Sequence, residues 1–256
     1  MTPRRGAVFY AHRGATAELP ENTLPAFRRA IEVGAAALET DAHLTRDGHV
    51  VLAHDAGGTR CAGVPRFLRS ATLAELRTWD MGHTLRARRA GLAGDRFVIP
   101  TLDELLAELP DVPLNVDIKD HDDHAARAVV DVVRRRRAQD RVLLASFDAG
   151  TLRTVRRLGY EGATGLGQSE ATRLILLPEP LLRRFPLAGQ AAQLPVRAGP
   201  FALDTPAFVA KVHALGMVLH YWTVDDPAEA RRLLALGADG IMTDDPARIA
   251  PVFAGL

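Results

Sequence analysis

One cysteine, Cys61, serves a chain of 256 residues. No internal disulfide can form, and cysteine usage gives secretion no support. Lysine is almost missing as well: Lys119 and Lys211 stand alone against thirty arginines, so a lysine in this setting draws attention. The formal net charge is only +1, too little to pull the chain toward nucleic acid or an anionic membrane. No apolar run approaches the roughly 20 residues of a membrane span. The start, Met1-Thr2-Pro3-Arg4-Arg5-Gly6, is basic, but the run Val8–Ala11 behind it is too short for a signal core and ends at His12-Arg13. Nucleic-acid binding and stable membrane insertion are set aside, and a cytoplasmic enzyme is expected. The run Arg134-Arg135-Arg136-Arg137 does not change this, because it closes a predicted helix, where cations are favourable.

What is present is an alternation. Short apolar runs near 7–12, 36–42, 113–118, 141–147, 162–167, 190–194, 217–223 and 239–243 read as eight strands. Amphipathic stretches at 23–33, 102–108, 122–139, 149–158, 170–177, 205–215 and 227–236 read as helices between them. Several helices open on cap-like residues, among them Asn22, Thr101, Asp148 and Asp226. Eight strand–helix units in about 250 residues fit one closed (β/α)8 TIM barrel, so residues 1–256 are read as a single α/β domain. Residues 56–100 form an insertion before strand 3, with a helix at 72–79 and a Gly- and Arg-rich stretch at 82–96, placed as a small cap over the barrel mouth.

One segment departs from the alternation. No crossover helix fits between Glu39 and His54, yet Val50-Val51-Leu52 looks like a strand and Asp47-Gly48 is a two-residue turn signal. A β-hairpin after strand 2 follows. With those two residues at its tip, Leu44 faces Val51 and Asp41 faces His54, and Glu39 shares the face of Asp41.

Catalytic groups of a parallel barrel lie at the C-terminal ends of its strands. His12 and Arg13 take that place on strand 1, Glu39 and Asp41 on strand 2. On strand 3, Asn115, Asp117 and Lys119 alternate along one face. If that face points into the mouth, Glu39, Asp41 and Asp117 make a three-carboxylate site of hard oxygen donors, suited to Mg²⁺ or Ca²⁺ and not to zinc. Two histidines, His12 and His54, with carboxylates between them suit metal-assisted proton transfer on a phosphate ester, because imidazole titrates near neutrality. Trp222 is a candidate for lining the mouth. Ser146 and Gln193 are possible pocket residues, and His43, His49, His83, His121, His124, His213 and His220 are given no role. Glu21 and Asn22 are read as capping the first helix, with Asn22 also able to orient a site group.

In its motifs the chain resembles the glycerophosphodiester phosphodiesterase family, whose barrel is shared with phosphatidylinositol-specific phospholipases C. The resemblance runs through His12-Arg13-Gly14, Pro20-Glu21-Asn22-Thr23, Glu39-x-Asp41, His54-Asp55, Asn115-x-Asp117-x-Lys119 and Trp222-Thr223-Val224-Asp225. It closes with Gly240-Ile241-x-Thr243-Asp244-x-Pro246. It implies a divalent cation on Glu39, Asp41 and Asp117, proton transfer by His12 and His54, and phosphate contacts from Arg13 and Lys119. Asp117 stands where the family usually has glutamate, and Ala56-Gly57-Gly58-Thr59-Arg60 replaces the usual arginine–threonine cluster after the His-Asp motif.

The implied reaction is hydrolysis of a small glycerophosphodiester to glycerol 3-phosphate and an alcohol. The substrate's 2-hydroxyl attacks phosphorus, one histidine takes its proton and the other protonates the departing alkoxide. Water then opens the cyclic phosphate. His54, facing Asp41 in the expected hairpin, is favoured as the acid. Two alternatives use the same barrel. One is cleavage of lysophospholipid or inositol phospholipid, which calls for an exposed apolar rim, with Leu174-Ile175-Leu176-Leu177-Pro178 the best candidate. The other is a phosphate-binding protein without catalysis.

Overall fold

The computed structural model describes residues 6–88 and 96–254. The apolar runs become strands: β1 (Val8–His12), β2 (Ala37–Leu44), β3 (Val50–Leu52), β4 (Leu114–Ile118), β5 (Val142–Ala145), β6 (Ala191–Leu194), β7 (Arg197–Ala198), β8 (Phe201–Ala202), β9 (Val218–Tyr221) and β10 (Gly240–Thr243). The principal sheet runs β5-β4-β2-β1-β10-β9-β6, with every pair along it parallel. The expected fifth strand is reduced to single bridges, Leu144 to Thr164 and Gly165 to Ala191, which join β5 to β6. The eight staves are those of a (β/α)8 barrel. Pairing of β1 with β10 brings the first and last strands side by side.

Most helices lie where the periodicity puts them. Thr101, Asp148 and Asp226 cap theirs, each accepting from a backbone N–H of the first turn. The first helix, Leu24–Glu32, is capped instead by Thr23. Outside the insertion, two helices of the described residues had no readable pattern in the sequence. Glu179–Arg184 is short, and Pro246–Phe253 carries Pro251 in its interior. The arginine run is tied down on the surface: Arg134 binds Glu161, and Arg135 and Arg136 bind Asp103.

The hairpin of β2 and β3 is present, but one residue out of the expected register. Leu44 pairs with Val50, His43 with Val51 and Ala42 with Leu52. The Thr45 N–H donates to the His49 carbonyl at 2.9 Å, so three residues, Arg46, Asp47 and Gly48, make the turn, with Gly48 at φ 83°. A three-residue loop ending on a left-handed glycine is a common alternative to the two-residue turn. The slip sets Asp41 against Ala53, whose N–H donates to the Asp41 carbonyl at 3.0 Å. His54 therefore does not face Asp41.

The insertion after the hairpin builds its own small core from Leu68, Leu76, Trp79, Met81 and Ile99 against Val51 and Ala53. Its expected helix shrinks to one turn, Leu73–Leu76, beside short helices at Thr59–Ala62 and His83–Arg88. Much of the Gly- and Arg-rich stretch 82–96 lies outside the described residues, as does most of the basic start.

Candidate active site

β1 delivers His12 and then turns sharply. Arg13 sits at φ 60° and Gly14 at φ 89°, both in the left-handed region that costs a side chain energy. A Cβ on Gly14 would lie 2.8 Å from the Ala26 backbone, so only glycine lets the first helix close this tightly over the strand end. The turn aims the Arg13 N–H at Glu39 Oε2, 3.2 Å away, and brings Arg13 Nε to 3.1 Å from Asp41 Oδ2.

Alternation along β2 puts Glu39, Asp41 and His43 on one face. The parallel register with β4 sets Glu39 beside Asn115 and Asp41 beside Asp117. All four are buried, Asp41 to 1% exposure. Lys119 lies between two of the acids, with Nζ 2.6 Å from Asp117 Oδ2 and 2.9 Å from Asp41 Oδ1. Asn22 is not the helix cap. It adopts φ 54°, donates to Asp41 Oδ2 at 2.9 Å and accepts from Thr40 Oγ1 at 2.7 Å. Orienting a site carboxylate is its role here.

The electrostatics follow from this crowding. Burial pushes the Glu39 carboxyl up to about 8, and the neighbouring charges of Asp41 and Asp117 push the same way. For Asp41 burial also works against the charge, but Lys119 and Arg13 more than offset it and hold the carboxyl below its ordinary value. His12 is placed between acids, with Nδ1 2.7 Å from Asp244 Oδ1 and Nε2 3.7 Å from Glu39 Oε2. Burial disfavours its imidazolium, yet the Asp244 hydrogen bond and the Glu39 charge together outweigh it and raise the pKa.

His54 follows β3 and hydrogen-bonds through Nδ1 to Asp55 Oδ1 at 2.7 Å. Asp55 in turn accepts from Arg60, which also makes two bonds to Glu21. The carboxylate on His54 is thus Asp55, not the Asp41 that the expected hairpin register set opposite it.

Arg13, Glu39, His54, Asp117, Lys119 and Trp222 line one cavity of about 410 Å³ at the C-terminal ends of the strands. Trp222 meets Phe147 edge-on, their ring centroids 6.2 Å apart. Ser146 and Gln193 also line the cavity, although Ser146 spends its hydroxyl on the Ile118 carbonyl. Two residues given no role from sequence contribute hydrogen bonds: Asp244 to His12 and Asp55 to His54. Asp244 was within reach of inference. It follows the last strand, which in a closed barrel is the neighbour of β1.

Glu39, Asp41 and Asp117 meet here, but not as a finished ligand cage. Among the described residues no three His, Cys, Asp or Glu side chains gather in geometry able to hold an ion, and Lys119 occupies the space between two of the acids. The donor set nevertheless fits a hard cation. Asp117 Oδ1 and Asn115 Oδ1 are buried without a hydrogen-bond partner, and Asp41 Oδ1 has only an ammonium off hydrogen-bond geometry. Buried oxygens left so call for a partner.

The sequence profile of the glycerophosphoryl diester phosphodiesterase family matches residues 12–248. A probable glycerophosphodiester phosphodiesterase 2 of Mycobacterium tuberculosis is 35% identical over 248 residues, covering 93% of this chain and 88% of that one. A glycerophosphodiester phosphodiesterase of Caldanaerobacter subterraneus is 31% identical, covering 92% and 93%. Among solved structures, a putative glycerophosphoryl diester phosphodiesterase from Silicibacter pomeroyi superposes with a TM-score of 0.80 at 29% identity, covering 98% of this chain and 94% of that one.

Proposed function

This chain belongs to the glycerophosphoryl diester phosphodiesterase family and is a glycerophosphodiester phosphodiesterase, and from that premise we propose that it works by histidine proton transfer beside a divalent cation. The observation that carries the proposal is the convergence of acids, cations and His54 on a single cavity, with His12 beside Glu39.

Arg13 and Lys119 supply positive charge for the phosphoryl oxygens of the substrate. His12 and His54 move the protons. One takes the proton of the glycerol 2-hydroxyl as that oxygen attacks phosphorus, and the other delivers a proton to the departing alkoxide. In the second half water opens the cyclic phosphate with the two roles exchanged, leaving glycerol 3-phosphate. Glu39, Asp41 and Asp117 are the residues that would hold Mg²⁺ or Ca²⁺, which neutralises phosphoryl oxygens and acidifies a bound hydroxyl. Trp222, with Phe147 against it, packs the carbon skeleton of the substrate.

The test is glycerol 3-phosphate release from glycerophosphocholine and glycerophosphoethanolamine. Release with Mg²⁺ or Ca²⁺ that stops with chelator is the expected result. Release indifferent to chelator overturns the cation, and no release from either diester overturns the reading.

A second reading is favoured by the far wall of the cavity, where Leu166, Ala171, Ile175, Leu194, Pro195 and Ala198 form an apolar side. Leu176, next to Ile175, is 57% exposed at the surface, while Leu174 is fully buried. A hydrocarbon chain on the glycerol would rest on this wall, making a lysophospholipid a substrate. Turnover of 1-lauroyl-glycerophosphocholine below its micelle concentration, at a kcat/KM above that of glycerophosphocholine, is what this reading requires.

A further inference from the structure

His54 is the more exposed of the two histidines and stands just beyond a strand of three residues, so something else must fix its position. We infer that His43 is the positioning residue for His54, an inference that rests on the proton-transfer role proposed above for His54. Three chain segments meet at His43. The ring is 5% exposed, with Nδ1 2.9 Å from Asp120 Oδ1 and Nε2 3.2 Å from the backbone carbonyl oxygen of His54. Asp120 is itself anchored, because its other oxygen accepts from the Leu44 N–H at 2.7 Å.

Both partners of the ring are acceptors, so a ring carrying a proton on each nitrogen donates to both and acts as a strut between them. At one end Asp120, just past β4, is locked to the hairpin strand; at the other hangs the peptide that carries His54. No side chain of ordinary apolar shape could span the two, and loss of the strut frees the His54 carbonyl. The His54 ring is held separately, by Asp55 and through it by Arg60. The backbone and the ring of His54 are therefore fixed by independent contacts, one from the hairpin side and one from the insertion side. The cavity-lining residue to which His43 hydrogen-bonds is His54, and its effect on the reaction passes through that contact. A displacement of about 1 Å in a proton-transfer group is enough to slow a reaction a hundredfold.

The experiment is a double-mutant cycle with His43→Leu and His54→Ala, read on glycerophosphocholine both in single turnovers, so that slow variants stay measurable, and in steady state. On the wild-type background His43→Leu is expected to lower kcat between 10- and 100-fold while KM changes less than threefold. On the His54→Ala background it should cost less than twofold more, because the group it positions is already gone. Asp120→Asn, which preserves side-chain shape, should reproduce the pattern and guards against a folding defect in His43→Leu. Equal losses on both backgrounds, or wild-type kcat in both strut variants, overturn the inference. Full activity of His54→Ala alone overturns the proton-transfer reading beneath it.

Discussion

His12 has its two ring nitrogens turned toward Asp244 and Glu39, and that placement makes a prediction about pH. The Asp244 hydrogen bond raises the His12 pKa against the lowering effect of burial. Asp244→Asn removes that support, so the His12 pKa falls and the His12 limb of the kcat/KM profile moves to lower pH; a limb that stays put or moves up contradicts the assignment. Asp117 makes a second. Its Oδ1 is buried without a hydrogen-bond partner and belongs to the proposed cation site, so Asp117→Asn is expected to raise the Mg²⁺ concentration for half-maximal activity by at least about 10-fold, the scale on which ligand-shell changes act. Activation curves of the two proteins superimposing would contradict it. The identities of the site residues were legible because each stands at the end of an apolar run, where a barrel places its chemistry. Their partners were not. His12 and Asp244 are 232 positions apart, and only closure of the barrel brings them together.

Elements were more readable than their joints. Seven of the eight barrel staves appear as strands, each burying apolar residues such as Leu38, Val116 and Ile241, whereas the stave at Thr164–Gly165 forms only bridges. The hairpin shows how little separates a right prediction from a wrong one: a third turn residue moved the register by one and took His54 away from Asp41. Glu170 offers an element-scale test. It is the capping residue of helix Gln168–Leu176, receiving the Gly167 and Ala188 N–H groups and paired with Arg156. Burial works against its charge, but the Arg156 bond and the two N–H donors outweigh it and lower the pKa. Its contribution is therefore present above the unfolded value of about 4.3 and is lost as pH falls through the lower folded value. Glu170→Gln should cost about 2 kcal/mol at pH 7, with the gap in melting temperature from wild type closing in acid. A gap that widens in acid would contradict this.

At the scale of the whole molecule, the barrel explains why residues from separate stretches of sequence meet: around 12, 39, 117 and 244 parallel strands end at one opening, and the antiparallel hairpin strand brings His54 back to it. Among the described residues no helix is long and apolar enough to cross a membrane, and the apolar wall of the cavity is the feature through which a lipid chain would be met. The account depends on two imidazoles serving one phosphorus at that opening. Measuring kcat/KM on glycerophosphocholine for His12→Ala and His54→Ala tests it most directly. Each variant is predicted to lose about 10³-fold, as removal of a proton-transfer group does, with its fold intact. Either variant retaining activity within threefold of wild type would contradict it.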